Sequence, residues 1–143
     1  MVEARWDLPE PLKVTGLHPG SLWSQGHITI DCESILKKGL AGIISEVKNN
    51  AARMGTAEAA DFARHAEHCV ESIRIFCRRY ANAARKAGKA EMARALEVVP
   101  FKPAYDFYSA LQSVWMVQFV CSALIGERDF AIGRIDRWLL PYC

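Results

Sequence analysis

The sequence predicts a mainly α-helical chain with about four to five helices. Two long segments, 31–54 and 56–87, repeat apolar residues three and four positions apart, which is the period of an amphipathic helix. Residues that end and start helices separate these segments, because Gly55-Thr56 stands between them and Gly88 follows the second. Helical periods bounded by capping residues therefore favour a helical fold class.

The first predicted helix begins at Asp31, a suitable N-cap, and runs to about Met54. Its apolar face consists of Ile35, Leu36, Leu40, Ile43, Ile44 and Val47. Gly39 and Gly42 lie inside this helix, where each glycine costs ~1 kcal/mol relative to alanine. We therefore expect another element to approach the helix closely at these glycines.

A regular apolar stripe marks the second helix. Its members alternate steps of four and three residues and are predicted to face the core: Phe62, Ala66, Cys69, Ile73, Phe76, Tyr80 and Ala83. A short helix over 89–99 follows and ends before Pro100. Pro103 is predicted near the first turn of a last long helix that reaches about Ile125, and 134–143 is again helix-like.

The last long helix carries apolar side chains on every side, which is typical of a helix in the middle of a large protein. Residues 1–26 have no helical or strand period and are punctuated by proline and glycine, so they are predicted to be irregular and extended. The domain organisation predicted for 1–143 is therefore one partial domain, with an irregular segment over 1–26 and a helical region over 27–143.

Composition excludes several function classes. The 143 residues have the length of one domain, and a net charge of +2 is too small to indicate a nucleic-acid or anionic membrane partner. The most hydrophobic stretch, 107–125, is too polar for a membrane span. Five cysteines without framework spacing indicate reduced thiols in the cytoplasm and no disulfides.

A histidine and cysteine cluster on the second helix has two interpretations. His65, His68 and Cys69 share one region of the helix, with Cys77 two turns further on, so two ligands could meet at a zinc ion, but a tetrahedral site needs further ligands. The ordinary interpretation places Cys69 in the apolar core and the histidines at its rim. Cys69 and Glu71 form a Cys-x-Glu triplet, but their side chains diverge on a helix, which argues against a catalytic pair.

Polar residues flank a short β-capable run over 26–31. His27 and Asp31 stand where a strand meets a helix N-terminus, a common place for site residues, although Asp31 is already explained as a cap. Arg128 and Asp129 stand in a later charged segment whose ion pairs contribute ~0–1 kcal/mol each if solvated.

Several blocks of the chain resemble glycyl radical enzymes of the pyruvate formate-lyase type. Residues 26–31 (GHITID) and 35–44 (ILKKGLAGII) resemble one family segment, and Arg79-Tyr80-Ala81, preceded by Glu71, resembles a family helix. Residues 110–115 (ALQSVW), preceded by Val99-Pro100, and residues 133–142 (GRIDRWLLPY) resemble two more. The blocks occur in the family order over about 20–143.

The resemblance implies a fragment of the N-terminal half of a ten-stranded α/β barrel enzyme, with at most two short strands here, near 26–30 and 129–133. It also implies anaerobic chemistry with a glycyl radical, installed on the full-length enzyme by an activating enzyme that uses S-adenosylmethionine and an iron–sulfur cluster. The radical glycine motif and the cysteine loop are not found in this sequence. The resemblance therefore assigns this chain no catalytic residue, no metal and no cofactor of its own.

What the resemblance implies for this chain is substrate contact. A histidine at the position of His27 hydrogen-bonds the substrate hydroxyl in family members that eliminate water from diols, so His27 favours a lyase or dehydratase. Asp31 is a second candidate. Arg128 and Asp129 lie in a segment that lines the same cavity, although small residues are usual there.

The sequence therefore predicts part of a glycyl radical enzyme that cleaves a C–C, C–O or C–N bond of a small polar substrate, as a lyase, dehydratase or formate acetyltransferase-like enzyme, and that is inactive as an isolated piece. Its expected partners are the remainder of the enzyme or a complementary chain, the substrate, the activating enzyme and a second copy in a homo-oligomer. A non-catalytic helical interaction module is the alternative, and a helical metal-binding protein is a third hypothesis.

Overall fold

The computed structural model describes residues 28–122 and 130–143, with five α-helices in those ranges. They are α1 (Cys32–Met54), α2 (Ala57–Lys86), α3 (Ala90–Val98), α4 (Phe107–Val120) and α5 (Ile135–Trp138), followed by a 3-10 turn at Leu140–Tyr142. The predicted number of helices and most of their boundaries are confirmed. The irregular segment predicted for 1–26 lies outside the described residues.

The two ends of α1 and the start of α2 follow from three residues that the sequence identifies. The Asp31 carboxylate accepts a hydrogen bond from the Ser34 amide at 3.0 Å and caps α1. Gly55 ends α1 in the left-handed region, with φ of 67°. Thr56 then caps α2 by accepting from the Ala59 amide at 3.2 Å. Each cap supplies a partner to a backbone group that a helix end otherwise leaves unpaired.

A break at Gly39 divides α1 and is bridged by another part of the chain. Gly39 has φ of 66° and ψ of 165°, far from helical values. The amides of Leu40 and Ala41 donate to the carbonyls of Pro100 and Phe101, each at 2.9 Å, and Leu36 accepts from the Ala104 amide at 2.9 Å. The 100–104 segment therefore satisfies the backbone groups that the break releases.

The same segment approaches Gly39 more closely than any side chain would permit. A Cβ atom added at Gly39 would lie 2.5 Å from the Phe101 carbonyl oxygen and 2.6 Å from the Lys102 carbonyl carbon. The close approach predicted at Gly39 is therefore confirmed. It is wrong for Gly42, where an added Cβ would meet only the Lys38 side chain of the same helix.

The buried face of α2 differs from the predicted stripe. The buried residues are small and lie one position further along, at Ala63, Cys77, Ala81 and Ala84. Within the predicted stripe Cys69 is exposed, Phe62 is 66% exposed and Tyr80 is 37% exposed. Because α2 packs against both α1 and α3, small side chains at the contact allow the helices to approach, and the large ones are displaced to the edge.

The beginning of α4 is also different from the prediction. Pro103 lies before the helix, not in its first turn, because Asp106 and Ser109 form a reciprocal capping box that starts α4 at Phe107. The buried side of α4 joins two cores. Ala110 and Val114 pack with Cys32, Leu36, Trp138 and Leu139, whereas Met116 and Val120 pack with Cys77, Ala81 and Leu96.

Two short strands are present where the resemblance placed them. Strand β1 (Ile28–Thr29) pairs in parallel with β2 (Phe130–Ala131), with Ile28 opposite Phe130 and Thr29 opposite Ala131. Gly133 passes close to β1, since a Cβ there would be 3.3 Å from the Thr29 methyl carbon. The Trp138 indole donates to the Ile132 carbonyl at 3.2 Å and so ties α5 to β2.

We expect Gly39→Ala to destabilise the chain far more than Gly55→Ala. Both glycines have positive φ, which costs an alanine roughly 1–2 kcal/mol. At Gly55 an added Cβ meets no described atom within 4 Å, whereas at Gly39 it overlaps backbone, so overpacking adds about 1–3 kcal/mol. Urea unfolding of both variants measures the difference. Equal losses would contradict the close approach.

Candidate functional site

The paired strands are where the predicted site residues enter the fold. His27 directly precedes β1 in the chain, and Arg128-Asp129 directly precede β2. All three residues lie outside the described residues. The structure does establish the register of the strands that follow them, because Ile28 and Phe130 are direct partners in a parallel pair.

The strands rest on the core formed by α1, α4 and α5. Ile30 and Ile132, the residues that follow the two strands, are partly buried and pack against the cluster that contains Leu36 and Val114. Leu36, which belongs to this core, also accepts a hydrogen bond from the Ala104 amide close to the α1 break. The packed helices therefore hold the strand pair in place.

Asp31 lies at the opposite end of β1 from His27. Its Oδ1 atom accepts from the Ser34 amide, and this hydrogen bond is the largest of the effects that lower the pKa of the Asp31 carboxyl. The carboxylate also stands near Lys38 and Lys37, whose positive charges favour the ionised form. Asp31 is exposed and acts as the N-cap of α1, so a substrate contact would have to use its Oδ2 atom.

A charged pair follows β2, as the sequence indicates. The Arg134 guanidinium donates to both oxygens of the Asp136 carboxylate, at 2.9 and 2.6 Å. This pairing lowers the pKa of Asp136 and raises that of Arg134. Both side chains are more than half exposed, so the pair contributes little stability.

The cysteines in the described ranges divide by environment. Burial raises the pKa of the Cys77 thiol to about 11 and also raises that of Cys32. These two thiols therefore stay protonated at neutral pH and behave as apolar core groups. Cys69 lies exposed in the middle of α2, and Glu71 is engaged by Arg74 at 2.5 and 2.7 Å.

The histidine and cysteine cluster is not assembled into a metal site. His65, His68 and Cys69 are exposed on α2, whereas Cys77 is buried between helices. Across 28–122 and 130–143, no three His, Cys, Asp or Glu side chains come together in a way that could hold a metal ion. In those same ranges, none of the helices combines the length and apolar character needed to cross a bilayer.

Two buried oxygens on α4 were not identified from the sequence. Gln112 Oε1 and Ser113 Oγ have no hydrogen-bond partner among the described residues. An unpaired buried polar group costs about 1–3 kcal/mol, so such groups normally have partners in a complete fold. Both residues belong to the ALQSVW block, whose resemblance to the family gives no sign of unpaired polar groups.

The family model described as "Pyruvate formate lyase-like" matches residues 16–143. The match covers most of the sequence and includes every described helix and strand. The chain therefore belongs to the pyruvate formate lyase-like family of glycyl radical enzymes.

Individual relatives agree with this assignment. The isethionate sulfite-lyase of Bilophila wadsworthia is 31% identical over 131 residues, covering 78% of this chain and 16% of the relative. The probable dehydratase YbiW of Escherichia coli is 25% identical over 134 residues, which cover 81% of this chain and 16% of the relative. A structure solved for 1,2-propanediol dehydration in Roseburia inulinivorans superposes with a TM-score of 0.69 at 27% identity. The match covers 82% of this chain and 17% of the solved chain. The chain spans about one-sixth of the length of these relatives.

We expect two replacements of Asp31 to distinguish the contribution of its capping hydrogen bond from that of its negative charge. Asp31→Ala should lower the free energy of unfolding by about 0.5–2 kcal/mol, whereas Asp31→Asn keeps the acceptor and should lose only about 0.3–1 kcal/mol of charge–dipole attraction. The folded-state pKa is lowered, so the charge stabilises above the unfolded pKa and this contribution is lost as pH falls through the folded pKa.

The gap between the wild type and Asp31→Asn should therefore be full near neutral pH and should shrink as the pH falls below about 4. Urea unfolding across this range measures it. A gap that stays constant down to acid pH would contradict the role of the charge.

Proposed function

We propose that the chain forms a helical part of a glycyl radical lyase or dehydratase that acts on a small polar substrate. The observation that carries the proposal is the family match over 16–143 together with the fold shared with the 1,2-propanediol dehydration structure. The relatives bearing the names isethionate sulfite-lyase and probable dehydratase both support an elimination reaction over acyl transfer.

In this proposal His27 contacts the substrate. Its imidazole donates a hydrogen bond to, or accepts one from, a substrate hydroxyl or carbonyl oxygen. The support is its position directly before β1, which is held against α1 and α4 through Ile30. A site residue mounted beside a strand on a packed core keeps its orientation better than one on a free loop.

Arg128 and Asp129 complete the proposed site from the second strand. The direct pairing of Ile28 with Phe130 supports it, because the residues that precede these partners are one and two positions away in sequence. A guanidinium beside a polar substrate offers a planar set of donors suited to an anionic group. Asp31 stands four residues beyond His27, so we assign it first to the cap and only secondarily to substrate.

The chain supplies binding and not the radical steps. The hydrogen abstraction that starts the reaction is supplied by the glycyl radical of the complete enzyme, and neither the radical glycine motif nor the cysteine loop is found in this sequence. We therefore propose that the 143 residues alone are inactive, and that the activating enzyme and the rest of the polypeptide are required. An electron paramagnetic resonance doublet of a glycyl radical on this chain alone would overturn the proposal.

We expect His27→Ala in the complete enzyme to lower turnover by about one to two orders of magnitude. Losing the partner leaves a buried polar group unpaired at about 1–3 kcal/mol, and each 1.36 kcal/mol corresponds to about tenfold in rate. The radical content, measured by electron paramagnetic resonance, should be unchanged.

His65→Ala is the matched control, since His65 is exposed on α2 and should leave turnover as in the wild type. Normal turnover in His27→Ala at normal radical content would remove His27 from the site.

A further inference from the structure

We infer that the outer face of α4 is a docking surface for the remaining part of a pyruvate formate lyase-like polypeptide. This inference rests on the proposed function, because it takes the chain to be one part of a larger enzyme. It goes further by identifying the side chains that make the contact and the chemistry of the surface that covers them.

Four large apolar side chains on α4 follow one another at intervals of four residues, and we call them the outer row: Phe107, Leu111, Trp115 and Phe119. Residues four apart are neighbours on a helix surface, so the row forms one continuous stripe. Phe107 is 41% exposed, Leu111 38% and Trp115 60%. No charged residue interrupts the stripe, because α4 contains none anywhere between its ends.

The outer row continues into an interface that already exists. The Phe119 ring lies 5.7 Å from the Phe76 ring and 5.4 Å from the Tyr80 ring, and the last two lie 4.9 Å apart. This aromatic cluster joins α4 to α2 and is only partly covered, since Tyr80 remains 37% exposed. The exposed row and the cluster therefore form one apolar surface across two helices, of the kind that marks an interaction site.

An exposed apolar residue elsewhere provides the comparison. Phe62 on α2 is 66% exposed, similar to Trp115. It follows Asp61 directly, and the Asp61 carboxylate accepts from Arg64 at 3.0 Å in an exposed ion pair. A single exposed phenylalanine among charges is an ordinary surface feature, whereas an uncharged stripe of four large side chains is not.

The length of the relatives indicates what covers the row. About five-sixths of the length of each relative lies outside the part matched here, and the described helices keep the arrangement found in the longer solved chain. The partner surface must itself be apolar and uncharged at its centre, because a charged group buried against the row would find no counter-charge on α4. We therefore assign the remaining polypeptide as the partner that covers the outer row. A second copy of the chain and residues 1–26 are the alternatives that the experiment distinguishes.

Hydroxyl-radical footprinting with mass spectrometry tests the inference at single residues. Oxidation rates of Leu111, Trp115 and Phe62 are compared between the 143-residue chain and a complete pyruvate formate lyase-like polypeptide that contains this sequence. Trp115 and Leu111 should become about tenfold less reactive in the complete polypeptide, since the centre of an interface is as buried as a protein interior. Phe62 should change by less than about twofold, as expected for a surface residue outside the contact.

Replacement of Trp115, the most exposed residue of the outer row, provides a second readout. In the complete polypeptide, Trp115→Gln should raise the oxidation rate of Leu111 by opening the contact, whereas Phe62→Gln should leave it unchanged. Circular dichroism of Trp115→Gln in the 143-residue chain should match the wild type, because the side chain is exposed there. This control separates loss of docking from loss of folding.

Each other outcome overturns the inference. The row is not the docking surface if Leu111 and Trp115 react as fast in the complete polypeptide as in the short chain. The same conclusion follows if Phe62 is protected as strongly as they are. Protection of the short chain that rises with its concentration would assign the row to a second copy, and protection that disappears on deleting residues 1–26 would assign it to that segment. Turnover and the glycyl radical doublet of the complete polypeptide are recorded in parallel, so a failed footprint in an active enzyme leaves the proposed function standing.

Discussion

The contact between Gly39 and the backbone of residues 100–102 determines how the rest of the structure is arranged. It divides α1, brings the 100–104 segment into three hydrogen bonds of 2.9 Å, and so fixes where α4 begins relative to α1. The core of Cys32, Leu36, Ala110 and Val114 lies between these two helices. Because the strand pair and α5 pack on that core, their positions depend on a single position that tolerates only glycine.

Size and charge divide the helices into inward and outward faces. Where α2 packs against α1 and α3, its buried side chains are small, such as Ala63, Ala81 and Ala84, which permits close helix packing. The outer face of α4 has the reverse character, with the large uncharged side chains of Phe107, Leu111 and Trp115 exposed and only Phe119 in contact with α2. Exposed apolar side chains of this kind fit a chain that spans about one-sixth of the length of its relatives.

Local chemistry made much of the fold predictable. Asp31, Gly55 and Thr56 act through their own backbone neighbours, so the sequence alone located the start and end of α1 and the start of α2. The prediction for the buried face of α2 was only partly right. Ile73 and Phe76 of the stripe pack against the core, but the fully buried residues are small and lie one position further along, because burial depends on which helices pack there. The start of α4 was missed because the capping box of Asp106 and Ser109 outweighed the signal of Pro103. The site is harder to predict than the fold. His27, Arg128 and Asp129 were selected by resemblance, and a substrate contact depends on residues of the complete enzyme outside this sequence.

Amide hydrogen exchange at Leu40 and Ala41 tests the central constraint most directly. In an unbroken helix these amides would donate within α1, but here they donate to Pro100 and Phe101. We predict that both exchange slowly in the wild-type chain, like amides in the helix interior, and that both lose protection together in Lys102→Pro, which removes the hydrogen bond from the Lys102 amide to Val98 within the same segment. Rapid exchange in the wild type, or protection that survives disruption of the 100–104 segment, would contradict the dependence of α1 on this contact.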